Sequence, residues 1–170
     1  EAMRLQIFAN LAYGAQGIQY FTYTTPLGTI WNFHKAPIDE NHQRTEVYDH
    51  VAKINHQVQS LSHIFLGAEM VWVRHTGAEI PMGTRRLSNE LPDEFKKVEA
   101  SGEGVLISHL KNGDKRYLMI LNRDIKRAQT VTVETAECVK RVMTDGRAVK
   151  ASLYSPTLNV EAGDMLLFEF

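Results

Sequence analysis

Carboxylates, histidines, one cysteine and a set of loop aromatics are the side chains of this 170-residue chain that could do chemistry. Asp39 and Glu40 form an adjacent pair of carboxylates, a residue type used for acid and base catalysis. The pair comes just before a predicted helix, where acidic side chains commonly interact with the positive N-terminal end of the helix. We therefore expect a structural role for the pair, with catalysis as the alternative.

Seven histidines raise the question of a metal site. Four of them lie on or near one predicted helix at spacings of eight, six and seven residues, without a His-Glu-x-x-His pattern: His42, His50, His56 and His63. This spacing predicts a solvated helix face, so we expect neither a metal ion nor a cofactor.

Cys138 is the single cysteine, so the chain has no internal disulfide. It sits in a predicted strand without a nearby histidine, which predicts a small buried apolar side chain. The glycines of the stretch Ser101–Gly104 do not follow a strand and open a helix, as a phosphate-binding loop would. They predict a turn.

The composition is that of a soluble globular chain, with 44% hydrophobic and 23% charged residues. A net charge of −1 with dispersed Lys and Arg argues against nucleic acid and anionic membranes as partners. No apolar stretch approaches the roughly 18 to 20 residues of a membrane span, and no signal-peptide pattern opens the chain. The chain starts at Glu1 with a helix already under way, so we expect it to be cut from a longer protein.

Two helices and an intervening strand are predicted in the first third. Apolar residues at spacings of three and four predict the first helix, which ends near Gly14 and Gly17: Leu5, Phe8, Ala12 and Ala15. The run Gly17–Thr24 is rich in β-branched and aromatic residues and predicts a strand buried on both faces. A 4-3-4-3-4 spacing predicts the second helix, which ends at Gly67: Val47, Val51, Ile54, Val58, Leu61 and Phe65.

From Glu69 onward the apolar period changes to two, which predicts an antiparallel β-sandwich. Strands are expected at 71–74, 104–110, 116–122, 129–134, 139–143 and 164–170. Alternation predicts four side chains in the sandwich core: Leu118, Ile120, Leu166 and Phe168. The stretch Gly77–Ser101 has weak periodicity and is expected to be an extended or partly ordered connection.

A helix, one strand and another helix cannot form a stable domain, because both strand edges lack partners. The sequence of residues 3–23, MRLQIFANLAYGAQGIQYFTY, resembles a stretch near the end of β-galactosidase-like glycoside hydrolases of clan A. In these enzymes the seventh helix of a (β/α)8 barrel ends in such a small-residue turn and leads into the eighth strand. The resemblance covers about 65 residues, and the all-β part resembles the sandwich often appended to these barrels.

The resemblance implies an α/β plus all-β chain. Residues 1–67 would be the last helix, strand and helix of the barrel, and residues 68–170 the antiparallel sandwich. It also implies a retaining mechanism with two glutamates, both before Glu1. On the eighth strand and its loop the site-facing residues would be Tyr23, Thr24, Trp31, Asn32 and His34. The family often has a tryptophan directly after this strand, where this chain has Thr24-Thr25.

Trp31 could stack on the apolar face of a sugar, with Asn32 hydrogen-bonded to a hydroxyl group, or it could fill the core beneath its loop. The leading functional hypothesis, which follows from the resemblance, is that the chain is a C-terminal fragment of a retaining glycoside hydrolase acting on β-linked sugars. Such a fragment would be inactive alone. Its partners would be a carbohydrate substrate and the remainder of the barrel, from the same parent chain or another chain. The resemblance favours a periplasmic or extracellular location, while the single cysteine also fits the cytoplasm.

The alternative hypothesis is a non-catalytic carbohydrate-binding or structural β-sandwich. A binding domain would display an aromatic side chain on a sandwich face, and the candidates are Trp72, Tyr117 and Tyr154. An ancillary domain would bury them. The apolar run from Tyr117 to Leu121 favours burial.

Overall fold

Two amphipathic helices dominate the N-terminal third of the computed structural model, which describes residues 1–170. Helix α1 spans Ala2–Ala12 and is followed by Gly14, whose φ of 88° suits glycine. Helix α2 spans Glu46–Ser60 and begins after Thr45, whose hydroxyl accepts a hydrogen bond from the Val47 amide. A short helix, α3, spans Ser62–Phe65. None of these helices combines the length and hydropathy that a membrane crossing requires.

Nine strands follow, and they pair antiparallel in two sheets, which confirms the predicted sandwich class. The six-stranded sheet has the order β1-β3-β4-β9-β6-β7, and the three-stranded sheet has the order β2-β5-β8. The strands are β1 Glu69–His75, β2 Phe95–Ala100, β3 Val105–Asn112, β4 Lys115–Asn122, β5 Gln129–Thr135, β6 Lys140–Val142, β7 Ala148–Lys150, β8 Thr157–Val160 and β9 Met165–Glu169. A single 3-10 turn, Ala151–Leu153, separates β7 from β8.

The six-stranded sheet is covered on both faces. On β4, Leu118 and Ile120 point toward the three-stranded sheet, and Leu166 and Phe168 of β9 join them in one hydrophobic cluster. This confirms the predicted core positions. The intervening side chains point the other way and pack in a second cluster with the helices: Tyr117, Met119, Leu121 and Leu167. The molecule therefore has three layers, with helices on one side of the large sheet and the small sheet on the other.

Polar contacts also join the helical layer to the sheet. The buried hydroxyl of Ser108 on β3 donates a hydrogen bond of 2.6 Å to the carbonyl of Ala12 at the end of α1. The Arg4 guanidinium donates to Gln57 on α2 at 2.7 Å and to Asp164, just before β9, at 2.6 Å. The predicted boundary between residues 67 and 68 falls between α3 and β1, but the two sides share one hydrophobic cluster.

The stretch predicted as a buried strand, Gly17–Thr24, belongs to no sheet. Its backbone forms hydrogen bonds only from Tyr23 onward, through a parallel bridge between Thr24 and Ile38. The predicted strand does not form within this chain, because a strand needs neighbours and no other parallel strand is present to pair with it. The barrel arrangement of residues 1–67 stays a prediction.

Two further expectations need correction in the all-β part. The connection Gly77–Ser101 contains the regular strand β2, whose register shifts between Phe95 and Lys97. Because of that irregularity, the buried side chains Phe95 and Val98 are three residues apart. A search for alternating apolar residues therefore does not detect this strand. Cys138 is exposed rather than buried, because it lies in the turn before β6 and not within the strand.

Candidate functional site

The segment between α1 and α2 exposes an unusual run of large apolar side chains. Trp31 is 71% exposed and Phe21 is 84% exposed, and their neighbours in this run are Tyr23, Leu27, Ile30 and Phe33. The Phe21 and Phe33 rings contact each other at a centroid distance of 5.9 Å, but they remain on the surface. We call residues 18–35 the aromatic segment. Contiguous apolar surface of this kind marks an interaction or ligand site.

A polar network holds the base of this segment against the start of α2. The Thr25 amide donates to the carbonyl of Ile38 at 2.9 Å, and the Thr25 hydroxyl accepts from the Ala36 amide at 3.1 Å. Thr45, which caps α2, donates its hydroxyl to the carbonyl of Ala36 at 2.6 Å. The base is therefore fixed by threonines, whereas the tip from Leu27 to His34 stays exposed.

Three of the predicted site residues lie on this tip. Trp31 is not buried beneath the loop, so the interpretation of Trp31 as a core residue is wrong. The Asn32 side-chain oxygen accepts a hydrogen bond of 2.8 Å from the His34 amide, which forms a local turn and leaves the Asn32 amide group as a free donor. His34 is exposed and adopts a positive φ of 52°. An indole face and an amide donor are the groups that contact sugars.

The other two predicted residues, Tyr23 and Thr24, lie near the base of the segment. Tyr23 lines a groove of about 370 Å³ between the aromatic segment and α2, whereas Thr24 forms the bridge to Ile38. Tyr20 and Tyr48 line the same groove. Trp31, Asn32 and His34 do not line it, so the structure does not bring all five predicted residues to one cavity.

Sequence reasoning missed part of this groove. The Tyr20 hydroxyl donates a hydrogen bond of 2.7 Å to the Asn55 side chain, and burial raises the pKa of Tyr20. Tyr48 lies under the Arg44 guanidinium, which is 4.2 Å from the ring centroid. The groove side of α2 could have been recognised in the sequence by a 4-3-4 spacing, which places four residues on one helix face: Tyr48, Ala52, Asn55 and Gln59.

The carboxylates of this region serve structural roles. One oxygen of Asp39 accepts the amides of Asn41 at 2.9 Å and Gln43 at 2.8 Å, which organises a turn rather than capping α2. Glu46 pairs with Lys35 at 3.1 Å. No carboxylate lines the groove beside Tyr23, and no cluster of His, Cys, Asp or Glu could hold a metal ion. The region offers exposed aromatic surface and a groove, but no carboxylate lines that groove.

The four histidines expected on a solvated face are indeed exposed, while another histidine is buried: His75, at the end of β1. Its Nε2 lies 3.2 Å from the Tyr13 hydroxyl, and its Nδ1 has no hydrogen-bond partner. Burial, with a smaller contribution from the Arg123 guanidinium, lowers the pKa of His75 to about 4. Arg123 itself donates to the carbonyls of Thr76 and Glu103, both at 2.6 Å. His75 is thus a neutral structural group at neutral pH.

Comparison of the chain with models of protein families, with curated proteins and with solved structures finds no match.

Proposed function

We propose that the chain is the C-terminal part of a retaining glycoside hydrolase that acts on β-linked sugars. In this proposal residues 1–67 are the end of a (β/α)8 barrel, the catalytic glutamates precede residue 1, and the sandwich is an appended domain. The observation that carries the proposal is the aromatic segment, whose first residues, 18–22, have an unpaired backbone and whose apolar side chains are exposed. The resemblance of residues 3–23 to the end of such barrels is the second support.

A barrel strand without its neighbouring strands would have unpaired backbone groups and exposed apolar side chains. Between Gly17 and Thr22 the backbone forms no hydrogen bond within the chain. Ile18 and Tyr20 pack partly against the helices, whereas Phe21 and Tyr23 are largely exposed. Neighbouring strands would satisfy the backbone groups and cover these rings. The same segment would then become the eighth strand of the barrel.

The chemistry of the exposed tip supports a sugar ligand. In a barrel of this type the loop after the eighth strand opens on the catalytic face. Trp31 offers an apolar ring face for the C–H groups of a pyranose, and Asn32 offers an amide donor for a hydroxyl group. In a retaining enzyme two carboxyl groups about 5 to 5.5 Å apart would supply the acid/base and the nucleophile from other strands.

The test is hydrolysis of a panel of aryl β-glycosides by three proteins: this chain, the longer parent protein, and the parent carrying Trp31→Ala. We expect no turnover by this chain, turnover by the parent, and a fall of about tenfold or more in kcat/KM for the variant, equivalent to ~1.4 kcal/mol. Met82→Ala is the matched control, because Met82 is a fully exposed apolar residue outside the aromatic segment. Robust turnover by this chain alone, or an inert parent, would contradict the proposal.

The second candidate is a non-catalytic carbohydrate-binding or structural sandwich. Tyr117 is 1% exposed and Trp72 is half-buried beside His109, as expected of an ancillary domain. Tyr154 is different, because it is exposed on the sandwich next to a cleft. That single ring favours the binding hypothesis, and binding without hydrolysis by the parent protein would support it.

A further inference from the structure

A cleft of about 310 Å³ opens where the two sheets of the sandwich separate, near the 3-10 turn Ala151–Leu153. Its floor is formed by apolar residues of the core between the sheets, including Phe168. The volume lies at the lower end of the roughly 300 to 1,000 Å³ typical of small-molecule sites. The cleft lies on the side of the large sheet that faces the small sheet, whereas the helices and the aromatic segment lie on the other side.

The rim of the cleft carries four charged side chains: Lys96, Glu134, Glu137 and Arg141. None of them takes part in the ion pairs of the chain, which use other residues. Their formal charges cancel, so the rim favours neither an anion nor a cation. Together they offer hydrogen-bond donors and acceptors to a neutral ligand.

Tyr154 is the aromatic group of the cleft. The Arg141 guanidinium lies over its ring, 5.2 Å from the centroid, which stabilises the ring orientation. The residue is still 39% exposed, so part of its apolar surface is open to a ligand. An oriented aromatic ring surrounded by donors and acceptors matches a molecule that has apolar C–H faces and many hydroxyl groups.

From these observations we infer that this cleft binds a neutral saccharide, with Tyr154 as the stacking surface and Arg141 and Glu137 as hydrogen-bonding groups. The site is separate from the aromatic segment, and it depends neither on an upstream barrel nor on hydrolysis. It would attach the sandwich to a neutral glycan. An anionic ligand gains no net attraction from this rim, because the charges of Lys96 and Arg141 are balanced by those of Glu134 and Glu137.

The test is affinity electrophoresis of this chain in native gels that contain hydroxyethyl cellulose, β-1,4-galactan or polygalacturonate, followed by calorimetric titration with the retarding glycan. We expect retardation by a neutral glycan and a rise of about tenfold or more in Kd for Tyr154→Ala. Tyr154→Phe retains the ring and should bind within about threefold of the parent. Leu153→Ala is the matched control, because Leu153 is an exposed neighbour that does not line the cleft.

Thermal unfolding of each variant verifies that the fold is intact. Glu137→Ala is a second test variant, which should fold normally because the Glu137 side chain is exposed and unpaired. We expect this variant also to bind the glycan more weakly than the parent. The inference is overturned if no neutral glycan retards the chain, if only polygalacturonate does, or if both Tyr154→Ala and Glu137→Ala bind like the parent. Hydrolysis is not measured, so these outcomes leave the glycosidase proposal to its own test.

Discussion

Acidification below pH 6.5 should destabilise this chain through the buried imidazole of His75. The imidazole is 3% exposed, and its pKa is lowered from 6.5 to about 4 in the folded chain. A histidine whose pKa is lowered by folding favours the folded state fully above pH 6.5, and this contribution is lost as the pH falls toward 4. Each pH unit between the two values costs about 1.4 kcal/mol, so the loss should reach about 2.5 kcal/mol at pH 4.5.

Urea denaturation at several pH values between 7.5 and 4.5 measures this loss. His75→Phe keeps an aromatic ring without a titrating group, so its free energy of unfolding should vary less with pH than that of the parent. Burial also lowers the pKa of His109, which adds a smaller loss in the same window, and His109→Phe separates the two contributions. Glu90 acts in a lower pH range, because the hydrogen bond from Arg74 lowers its pKa to about 2 and its contribution is lost as the pH falls from about 4.5 toward 2.

The control is His50→Gln, which replaces an exposed histidine on α2 and should leave the pH dependence of the parent unchanged. If His75→Phe showed the same loss of stability between pH 6.5 and 4.5 as the parent, the buried imidazole would not be the cause. The reasoning from burial and from Arg123 would then be refuted.

Three further outcomes test the packing of the sandwich. Ile120→Asp places a carboxylate at a fully buried position and should abolish the cooperative unfolding transition, whereas Thr130→Asp on an exposed strand position should leave it within about 1 kcal/mol of the parent. Gly104→Ala should lower the free energy of unfolding several-fold more than Gly113→Ala. Both glycines have positive φ, but only at Gly104 would a new Cβ collide with a backbone carbonyl, that of Thr76. Cys138 should react with a thiol reagent in the native chain as completely as in urea, and protection in native buffer would contradict its exposed position.

The elements that could be predicted from the sequence are those in which one face is buried regularly. The apolar spacing of α2 and the alternation on β4 each reflect a real buried face, because a helix or strand repeats its environment at a fixed period. Continuous burial along β4 from Tyr117 to Asn122 also has a physical cause, since both faces of its sheet are covered.

The remaining elements lack that regularity. An irregular register in β2 breaks the period of two, and β7 and β8 are only three and four residues long, too short to show a period. The run from Ile18 to Tyr23 has the composition of a buried strand, but composition cannot supply the neighbours that a strand needs.

The candidate sites could be predicted only in part. Trp31 and Tyr154 were identified by type, but their exposure depends on contacts from distant parts of the chain. The groove beside Tyr23 could not be foreseen, because it forms between two elements whose relative position the sequence does not specify.

Burial of the large sheet on both faces limits how this sandwich can be reused in evolution. A gene rearrangement that carried only residues 69–170 into a new protein would uncover one side of the sheet and expose seven buried side chains to solvent: Leu106, Leu110, Tyr117, Met119, Leu121, Val142 and Leu167. It would also remove Arg4 and leave Asp164 without its cationic partner. Such a transplanted sequence would tend to aggregate unless its new host supplied another apolar cover. Recombination should therefore preserve the helices and the sandwich together as one inherited unit.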